Sequence, residues 1–419
     1  MMARVGGLAI KIVITNFALS RYLGPADYGI YNYPLAVVTF FMAAAALGLD
    51  GFVTRELLNH PEKKDILLGT SFRIRIIAGF ATLPLVYVTY QILNHSKHLD
   101  TPFAYVFIVA FTSVIQSLNI IDSFFQSKVQ GKYIMYIQVM GNIVSAVIKL
   151  IFILLKLPLI WFIYSLLLDS ALIAAGYVIL YIKNNNNLFN WKYNSTEAAY
   201  LFKHSWPLAF SAVLVSLYMK IDQVMIPSYL DTKQLGIYST VASLSESWYF
   251  IPVAIVTSVF PAIMHAKKMD AARYQVRLQN MYDLMVIISL SVALVMSFGS
   301  SFIYHIAYSR EFWSGSKVLA VHVWAGIFVF LGSASSQYLI AEGYTRLAMV
   351  RTGVGAVVNI VLNIFLLPAY GILGAAYATL AAYFMATFFI LLIPKTSHQG
   401  VMMLKSLFLI SLFQKIIKR

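Results

Sequence analysis

The chain contains no cysteine and few charged residues. The absence of cysteine excludes disulfide bonds and thiolate metal sites. Charged residues make up 11% of the chain and hydrophobic residues 60%, whereas a typical soluble domain is roughly 25% charged. Because so few charged side chains cannot cover a surface that faces water, the composition predicts an integral membrane protein.

Acidic residues are scarcer than basic ones. The chain has 16 Asp and Glu against 31 Lys and Arg, a formal net charge of +15, which in a soluble protein would suggest a nucleic-acid partner. The distribution of this charge indicates membrane topology instead. With a cytoplasmic N-terminus, most basic residues, including Arg351, fall in cytoplasmic segments, and the opposite side holds only Arg21, Lys97, Lys156, Lys233, Arg310 and Lys317. We therefore expect both termini in the cytoplasm and no nucleic-acid partner.

About twelve apolar stretches are long enough to cross a bilayer, which takes about 20 residues of helix. They lie near residues 4–20, 30–48, 70–92, 103–124, 137–155, 159–182, 204–226, 237–262, 281–304, 317–340, 353–368 and 372–394. The first is interpreted as a retained span rather than as a signal peptide. The sequence therefore predicts an all-α integral membrane protein with about twelve transmembrane helices.

Signals for catalysis and for bound cofactors are missing. The eight His residues show no metal-ligand spacing, and neither a phosphate loop nor a nucleophile elbow is present. The loops between the spans are too short to form a catalytic domain outside the membrane. We therefore expect a protein that is not an enzyme and that binds no cofactor.

One short pattern occurs twice, about half a chain length apart. Residues Tyr22–Tyr31 and Tyr229–Tyr238 share Tyr, Leu, Gly, Ile and Tyr in register, at an offset of 207, which is 229 minus 22. A weaker repeat relates Gln130–Tyr133 to Glu342–Thr345. Two repeats at nearly one offset indicate a duplicated unit, which is how many transporters are built.

The longest loop contains the polar run Asn184–Asn187 and separates the sixth span from the seventh. We expect a first six-helix lobe over residues 1–182, a cytoplasmic linker over 183–203 and a second six-helix lobe over 204–394. Each lobe would have six spans, an even number, so both lobes would enter the membrane from the same side. They would then be parallel rather than inverted repeats. Residues 395–419 interleave apolar and basic side chains and predict an amphipathic helix on the cytoplasmic leaflet.

Five short segments carry a family resemblance. They are Arg21–Tyr31 after the first span, Leu47–Gly51 and Thr54–Glu56 after the second, Lys220–Gln223 at the end of the seventh, and Gly371–Thr379 at the start of the twelfth. Together they resemble the Wzx family of O-antigen and capsule-repeat flippases, in the polysaccharide-transport branch of the multidrug/oligosaccharidyl-lipid/polysaccharide (MOP) superfamily. The resemblance covers essentially the whole chain, and its spread motifs indicate the family rather than the substrate.

The resemblance implies a V of two parallel six-helix lobes around a central cavity that opens alternately to each side. It implies a protein of the bacterial inner membrane that moves oligosaccharide units linked to undecaprenyl diphosphate from the cytoplasmic to the periplasmic leaflet. Relatives in the superfamily couple transport to H⁺ or Na⁺ gradients, so either ion is a candidate here. Besides the lipid-linked sugar and the bilayer, a polysaccharide polymerase and a chain-length regulator are candidate partners.

Three lysines, Lys11, Lys149 and Lys220, lie within predicted spans. A charge at the bilayer centre costs at least about 2.5–3.5 kcal/mol on insertion scales, and a diphosphate held inside a cavity needs cations around it. We expect these lysines to line a cationic, substrate-binding cavity. Snorkelling to the interface or a shifted span boundary is the alternative.

Arginines lie at the cytoplasmic ends of the second and third spans. Arg55 is a candidate for the first contact with the diphosphate, and an interfacial topology anchor is the alternative. Arg73 and Arg75 open the third span, and we expect them to be anchors.

Acidic residues in or near the spans raise the question of coupling. A carboxylate in a low-dielectric cavity could load and release a proton or contribute to a cation site, and Asp222, Asp169 and Glu246 are the candidates. Asp222 lies in a segment that carries the family resemblance. The alternative for each is a structural ion pair with a lysine inside the membrane, and Asp169 with Lys149 or Lys11 is a candidate for such a pair.

Three other functions compete with the flippase. A MATE-like drug or organic-cation antiporter would share the fold, although three lysines within spans favour an anionic cargo. A membrane-embedded polymerase or ligase typically needs a sizeable outer loop with Arg or His, and here only the short segment around Arg310 and Glu311 is available. A structural partner of a polymerase complex predicts that the lysines tolerate alanine. The sequence identifies neither the glycan that is carried nor the coupling ion.

Overall fold

The computed structural model describes residues 17–96 and 100–417, and these residues contain helices but no β-strand. The chain divides into two compact units, Met1–Gly236 and Ile237–Arg419.

The described part of the first unit is a helical bundle. Its helices are α1 (Ser20–Ala45), α2 (Leu49–Asn59), α3 (Lys64–Ser96), α4 (Phe103–Ala110), α5 (Thr112–Ile115), α6 (Ile120–Ser127), α7 (Gly131–Leu154), α8 (Leu159–Lys183), α9 (Ser195–Tyr229) and the start of α10 (Thr232–Glu246). Short 3₁₀ helices lie at Pro61–Lys63, Gln116–Asn119 and Leu188–Asn190.

The second unit begins within α10 and is helical throughout its described length. Its further helices are α11 (Phe250–Met269), α12 (Ala271–Ala307), α13 (Gly315–His322), α14 (Ala325–Ala341), α15 (Thr345–Tyr370), α16 (Ile372–Phe388), α17 (Ser397–Leu407) and α18 (Ile410–Ile417), with 3₁₀ helices at Arg310–Phe312 and Phe389–Leu392.

Eleven helical segments of the described chain are long and apolar enough to cross a membrane. They correspond to the second to twelfth predicted spans, so the predicted all-α membrane architecture is confirmed there. The first predicted span, near 4–20, lies almost wholly outside the described residues. Helix α9 begins at Ser195, ahead of the predicted start at 204, because the Asn194 side chain caps it by accepting the N–H groups of Thr196 and Glu197 at 2.8 and 3.1 Å.

The chain that leads into α9 packs against α3. The Lys192 N–H donates to the carbonyl of Asp65 at 3.1 Å, and the Asn194 N–H donates to the Thr70 hydroxyl at 3.1 Å. The Trp191 indole N–H donates to the Tyr181 hydroxyl at 3.1 Å. These contacts fix the backbone that precedes α9, although the predicted lobe and linker boundaries themselves stay predictions.

The two copies of the repeated pattern pack against each other. A Cβ atom on Gly29 would lie 1.8 Å from the carbonyl oxygen of Thr232, and a Cβ atom on Gly236 would lie 1.8 Å from that of Pro25. Gly29 and Gly236 are equivalent in the repeat, and so are Pro25 and Thr232. The contact is therefore reciprocal, and only glycine permits so close an approach of the two backbones.

Residues of the predicted amphipathic tail form α17 and α18, separated by a break at Leu409, which has a φ of 57°. Helix α17 docks on α12 through hydrogen bonds. The Gln279 side-chain amide donates to the Ser406 hydroxyl at 2.7 Å, and buried Asp283 accepts from Ser406 and Ser411 at 2.6 and 2.9 Å. The placement of these helices on the cytoplasmic leaflet stays a prediction.

Candidate functional site

Lys149 and Asp169 form an ion pair between α7 and α8. The Lys149 ammonium lies 2.7 Å from Asp169 Oδ2 and 3.0 Å from the Ser145 hydroxyl, and Lys149 is only 2% exposed. Of the two partners considered for Asp169, the structure therefore pairs it with Lys149. The charge of this lysine is compensated within the bundle, while Asp169 Oδ1 is buried without a hydrogen-bond partner among the described residues.

The other lysines of the predicted cationic cavity are placed differently. Lys11 lies outside the described residues, so its proposed role stays a prediction. Lys220 is half-buried on α9. Two residues further on, Asp222 is buried, and its Oδ1 accepts the N–H of Gln223 at 3.0 Å.

Glu246, the third coupling candidate, is the last residue of α10 and is half-buried in the second unit. Its part in coupling stays a prediction, as does that of Asp222.

Arg55 presents an accessible cation near the end of α2. Its side chain is 60% exposed, and one of its terminal nitrogens lies 3.2 Å from Glu56 Oε1. The guanidinium carbon lies 4.6 Å from the centre of the Phe52 ring, which in turn packs against Tyr200 and His204 of α9. The ring thereby orients the guanidinium group, much of which stays exposed to solvent. Its five N–H donors suit a phosphate or carboxylate.

A cavity of about 220 Å³ lies in the first unit next to Glu56, the ion-pair partner of Arg55. Its wall contains Glu56, His60, Lys63, Leu67, Thr196, Glu197 and Tyr200. The Lys63 ammonium donates to Glu197 Oε1 at 2.6 Å across it. Carboxylates, an ammonium, a hydroxyl and an aromatic ring together offer both acceptors and donors to a polar ligand.

Arg75 does not have the anchor role that we expected. It is buried, and its guanidinium lies 2.5 Å from Asp50 Oδ1, so it ties α3 to the start of α2. The Asp50 carbonyl also accepts the Ser123 hydroxyl at 3.0 Å. Arg73 is exposed and lies 5.5 Å from the centre of the Tyr193 ring, which is compatible with an interfacial position.

Two charged residues of the second unit, Arg351 and Asp283, are buried, and the sequence did not predict their burial. Arg351, which we had assigned to a cytoplasmic segment, is buried on α15 and donates to the carbonyl of Gly332 at 2.7 Å and to the Ser335 hydroxyl at 3.3 Å. Helix α15 starts at Thr345, before the predicted span at 353, which explains why the burial of Arg351 was not predicted. Asp283, which accepts hydrogen bonds from Ser406 of α17 and Ser411 of α18, was also not predicted to be buried. The sequence indicates this contact only through the two serines.

A metal centre is not formed by the residues that the structure describes, since no group of three or more His, Asp or Glu lies close enough together there.

Two family profiles and a named relative match the chain. The profile of the family described as "Polysaccharide biosynthesis protein" matches residues 5–267, and that of the MatE family matches residues 207–365. A Shigella flexneri protein named "Putative O-antigen transporter" is 24% identical over 381 residues, which cover 85% of this chain and 87% of that protein.

Two solved structures show the same fold. An inward-facing multidrug resistance MATE family transporter of the MOP superfamily has a TM-score of 0.76 at 13% identity, with 99% of this chain and 96% of that chain covered. The lipid II flippase MurJ, in an inward closed conformation, has a TM-score of 0.73 at 17% identity, with 98% and 91% covered. The chain therefore belongs to the polysaccharide biosynthesis protein family and has the fold of MOP-superfamily transporters.

Proposed function

We propose that the protein translocates oligosaccharide repeat units of an O-antigen or capsule, linked to undecaprenyl diphosphate, from the cytoplasmic to the periplasmic leaflet of the bacterial inner membrane. The observation that carries the proposal is the family match over residues 5–267 in a chain with eleven candidate spans. The name of the Shigella relative and that of MurJ support a cargo made of sugar and lipid.

Arg55 is the residue that we propose for the first contact with the diphosphate. Its side chain is largely exposed and is oriented by Phe52, so binding an anion requires little desolvation and little loss of side-chain freedom. A guanidinium can bind two phosphate oxygens at once. Lys149 is less suited to this step because Asp169 already compensates its charge.

The cavity next to Glu56 is proposed to hold the first sugar of the repeat unit. Sugar hydroxyls both donate and accept hydrogen bonds, and the cavity wall offers Glu56, Lys63 and Glu197 as partners. Tyr200 supplies an aromatic face there. A diphosphate on Arg55 would leave the attached sugar within reach of this wall.

The Lys149–Asp169 pair is proposed as the element that an ion gradient would act on. A proton or Na⁺ that arrives at Asp169 would weaken its bond to Lys149 and leave an uncompensated ammonium inside the bundle, where it could hold the diphosphate. Asp222 and Glu246 stay alternative coupling groups, and H⁺ and Na⁺ stay alternative ions.

A drug or organic-cation antiporter is the second candidate function. The match of the MatE family profile to residues 207–365 favours it. The TM-score of 0.76 to a multidrug resistance transporter does not choose between the two functions, because one fold serves both kinds of cargo.

Deletion of the gene in its native host tests the proposal. We expect loss of surface polysaccharide and accumulation of unpolymerised lipid-linked units on the cytoplasmic face, both restored by the intact gene. Unchanged surface glycan together with increased sensitivity to organic cations would support the antiporter. Arrival of single units in the periplasm with a block only in polymerisation would instead indicate a component of the polymerase.

A further inference from the structure

The second unit contains a cavity that none of the sites above uses. It measures about 540 Å³ and lies where α15 begins and where the chain leaves the 3₁₀ helix Phe389–Leu392. Its wall consists of Gly343–Leu347 with Ile393, Lys395 and Thr396. The volume falls within the range of about 300–1,000 Å³ that is usual for ligand sites.

The charged residues in this wall are all basic. Arg346 and Lys395 line the cavity, and no Asp or Glu does. Both side chains are exposed, and neither has an acidic partner among the residues that the structure describes. Two cations beside one cavity repel each other, and a bound anion would relieve this repulsion.

The two basic residues of the cavity lie close in sequence to exposed apolar side chains of two candidate spans. Arg346 begins its span, and Val350, one turn further along the same face of α15, is 45% exposed. Leu392, at the end of the neighbouring span, is 72% exposed, three residues before Lys395. Exposed apolar side chains of a span favour contact with lipid, which would place the two cations at the depth of the headgroups.

We propose that this cavity binds the phosphate of an anionic phospholipid headgroup. Arg346 and Lys395 pair with the phosphate, the hydroxyls of Tyr344 and Thr345 offer further donors, and Leu347 and Ile393 contact the start of the acyl chains. Soluble phosphate shares this chemistry. The exposed apolar side chains of Val350 and Leu392, four residues after Arg346 and three before Lys395, favour the lipid as its source, as in other basic sites at the ends of spans.

The test is lipid binding by the purified full-length protein in detergent, measured by native mass spectrometry during titration with phosphatidylglycerol, phosphatidylcholine or inorganic phosphate. The variant is Arg346→Gln/Lys395→Gln. The matched control is Arg273→Gln/Lys405→Gln, which removes two exposed cations of the same unit outside the cavity wall. Equal thermal unfolding of all three proteins without added lipid shows that they are folded.

We expect phosphatidylglycerol to bind the wild type and the control at least tenfold more tightly than phosphatidylcholine. The cavity variant should bind it about 30-fold more weakly, since each basic residue near a membrane surface contributes ~1 kcal/mol to attraction of anionic lipid. Equal losses in the variant and the control would overturn the proposal. Binding of inorganic phosphate without tight phosphatidylglycerol binding would overturn the assignment to a lipid.

Discussion

At the scale of single residues, the Lys149–Asp169 pair distinguishes a structural role from a transport role. Replacing Lys149 by Ala leaves the Asp169 carboxylate without its 2.7 Å partner inside the bundle. We expect a loss of about 3 kcal/mol in stability, because removing one partner of a buried pair leaves an uncompensated charge. Thermal unfolding in detergent measures this, and Lys149→Leu/Asp169→Leu should regain most of the loss.

The same double variant tests whether the pair takes part in transport. If the pair acts in coupling or holds the diphosphate, the double variant is stable but does not restore surface polysaccharide in the deletion strain. Full restoration would contradict our proposal for this pair and would leave it a purely structural feature.

Arg55 and Arg73 provide a matched comparison. Both are exposed arginines beside an aromatic ring, at 4.6 Å from Phe52 and 5.5 Å from Tyr193. Arg55 also lies 3.2 Å from Glu56, which lines the cavity of the first unit. We expect Arg55→Ala to lower translocation at least tenfold without changing the thermal unfolding temperature, because an exposed side chain contributes little to stability. Arg55→Lys should be intermediate, since an ammonium cannot bind two oxygens in a fork.

The control for this prediction is Arg73→Ala, which should transport at the wild-type rate. The measurement is the amount of surface polysaccharide at equal protein levels in the membrane. Equal defects in Arg55→Ala and Arg73→Ala would contradict a specific role of Arg55 in binding the diphosphate and would indicate that both residues are topology anchors.

Residue-scale features were only partly predictable. The sequence narrowed the partner of Asp169 to Lys149 or Lys11, but the choice depends on how α7 and α8 are rotated against each other. The burial of Arg75 and Arg351 was not predicted because each lies within about two turns of a predicted span end, where an interfacial and a buried arginine give the same pattern. Burial follows from neighbouring helices that the local sequence does not specify.

At the scale of helices, the repeated pattern marks a close backbone contact between α1 and α10. We expect Gly29→Ala and Gly236→Ala each to lower stability by about 1–3 kcal/mol, because the added methyl group would overlap a carbonyl oxygen and force the backbones apart. The double variant should lose less than the sum of the two, since one separation relieves both overlaps. Thermal unfolding of the four proteins gives these values.

The matched control is Gly51→Ala on α2, where an added Cβ meets no atom within 4 Å. There we expect no loss, or a gain of up to about 1 kcal/mol from the higher helix propensity of alanine. A Gly29→Ala protein as stable as Gly51→Ala would show that the two backbones do not approach so closely.

Helix positions were predicted better than helix interruptions. The repeat was evident from the residues, but its reciprocal contact required the structure. The fourth predicted span, near 103–124, is divided into α4, α5, a 3₁₀ helix and α6. No proline or glycine lies in that stretch, so hydropathy and helix-breaker patterns carried no signal for the division.

At the scale of the whole molecule, hydropathy was sufficient to predict the spans that the structure describes, because a bilayer requires about 20 apolar residues per helix whatever they contact. The family was also predictable, since its motifs are spread along the chain. Substrate and coupling ion were not, because they depend on a few side chains whose neighbours come from distant segments.

The central claim is that the protein moves a lipid-linked oligosaccharide between leaflets. Its most direct test uses proteoliposomes that carry the purified protein and an undecaprenyl-diphosphate-linked repeat unit, with a glycosidase added outside. We predict that the wild type exposes the inner-leaflet pool, so that digestion continues beyond the fraction reached in protein-free liposomes, and that Arg55→Ala slows this second phase. Digestion that stops at the protein-free level, in preparations that still export organic cations, would contradict the flippase and support the antiporter.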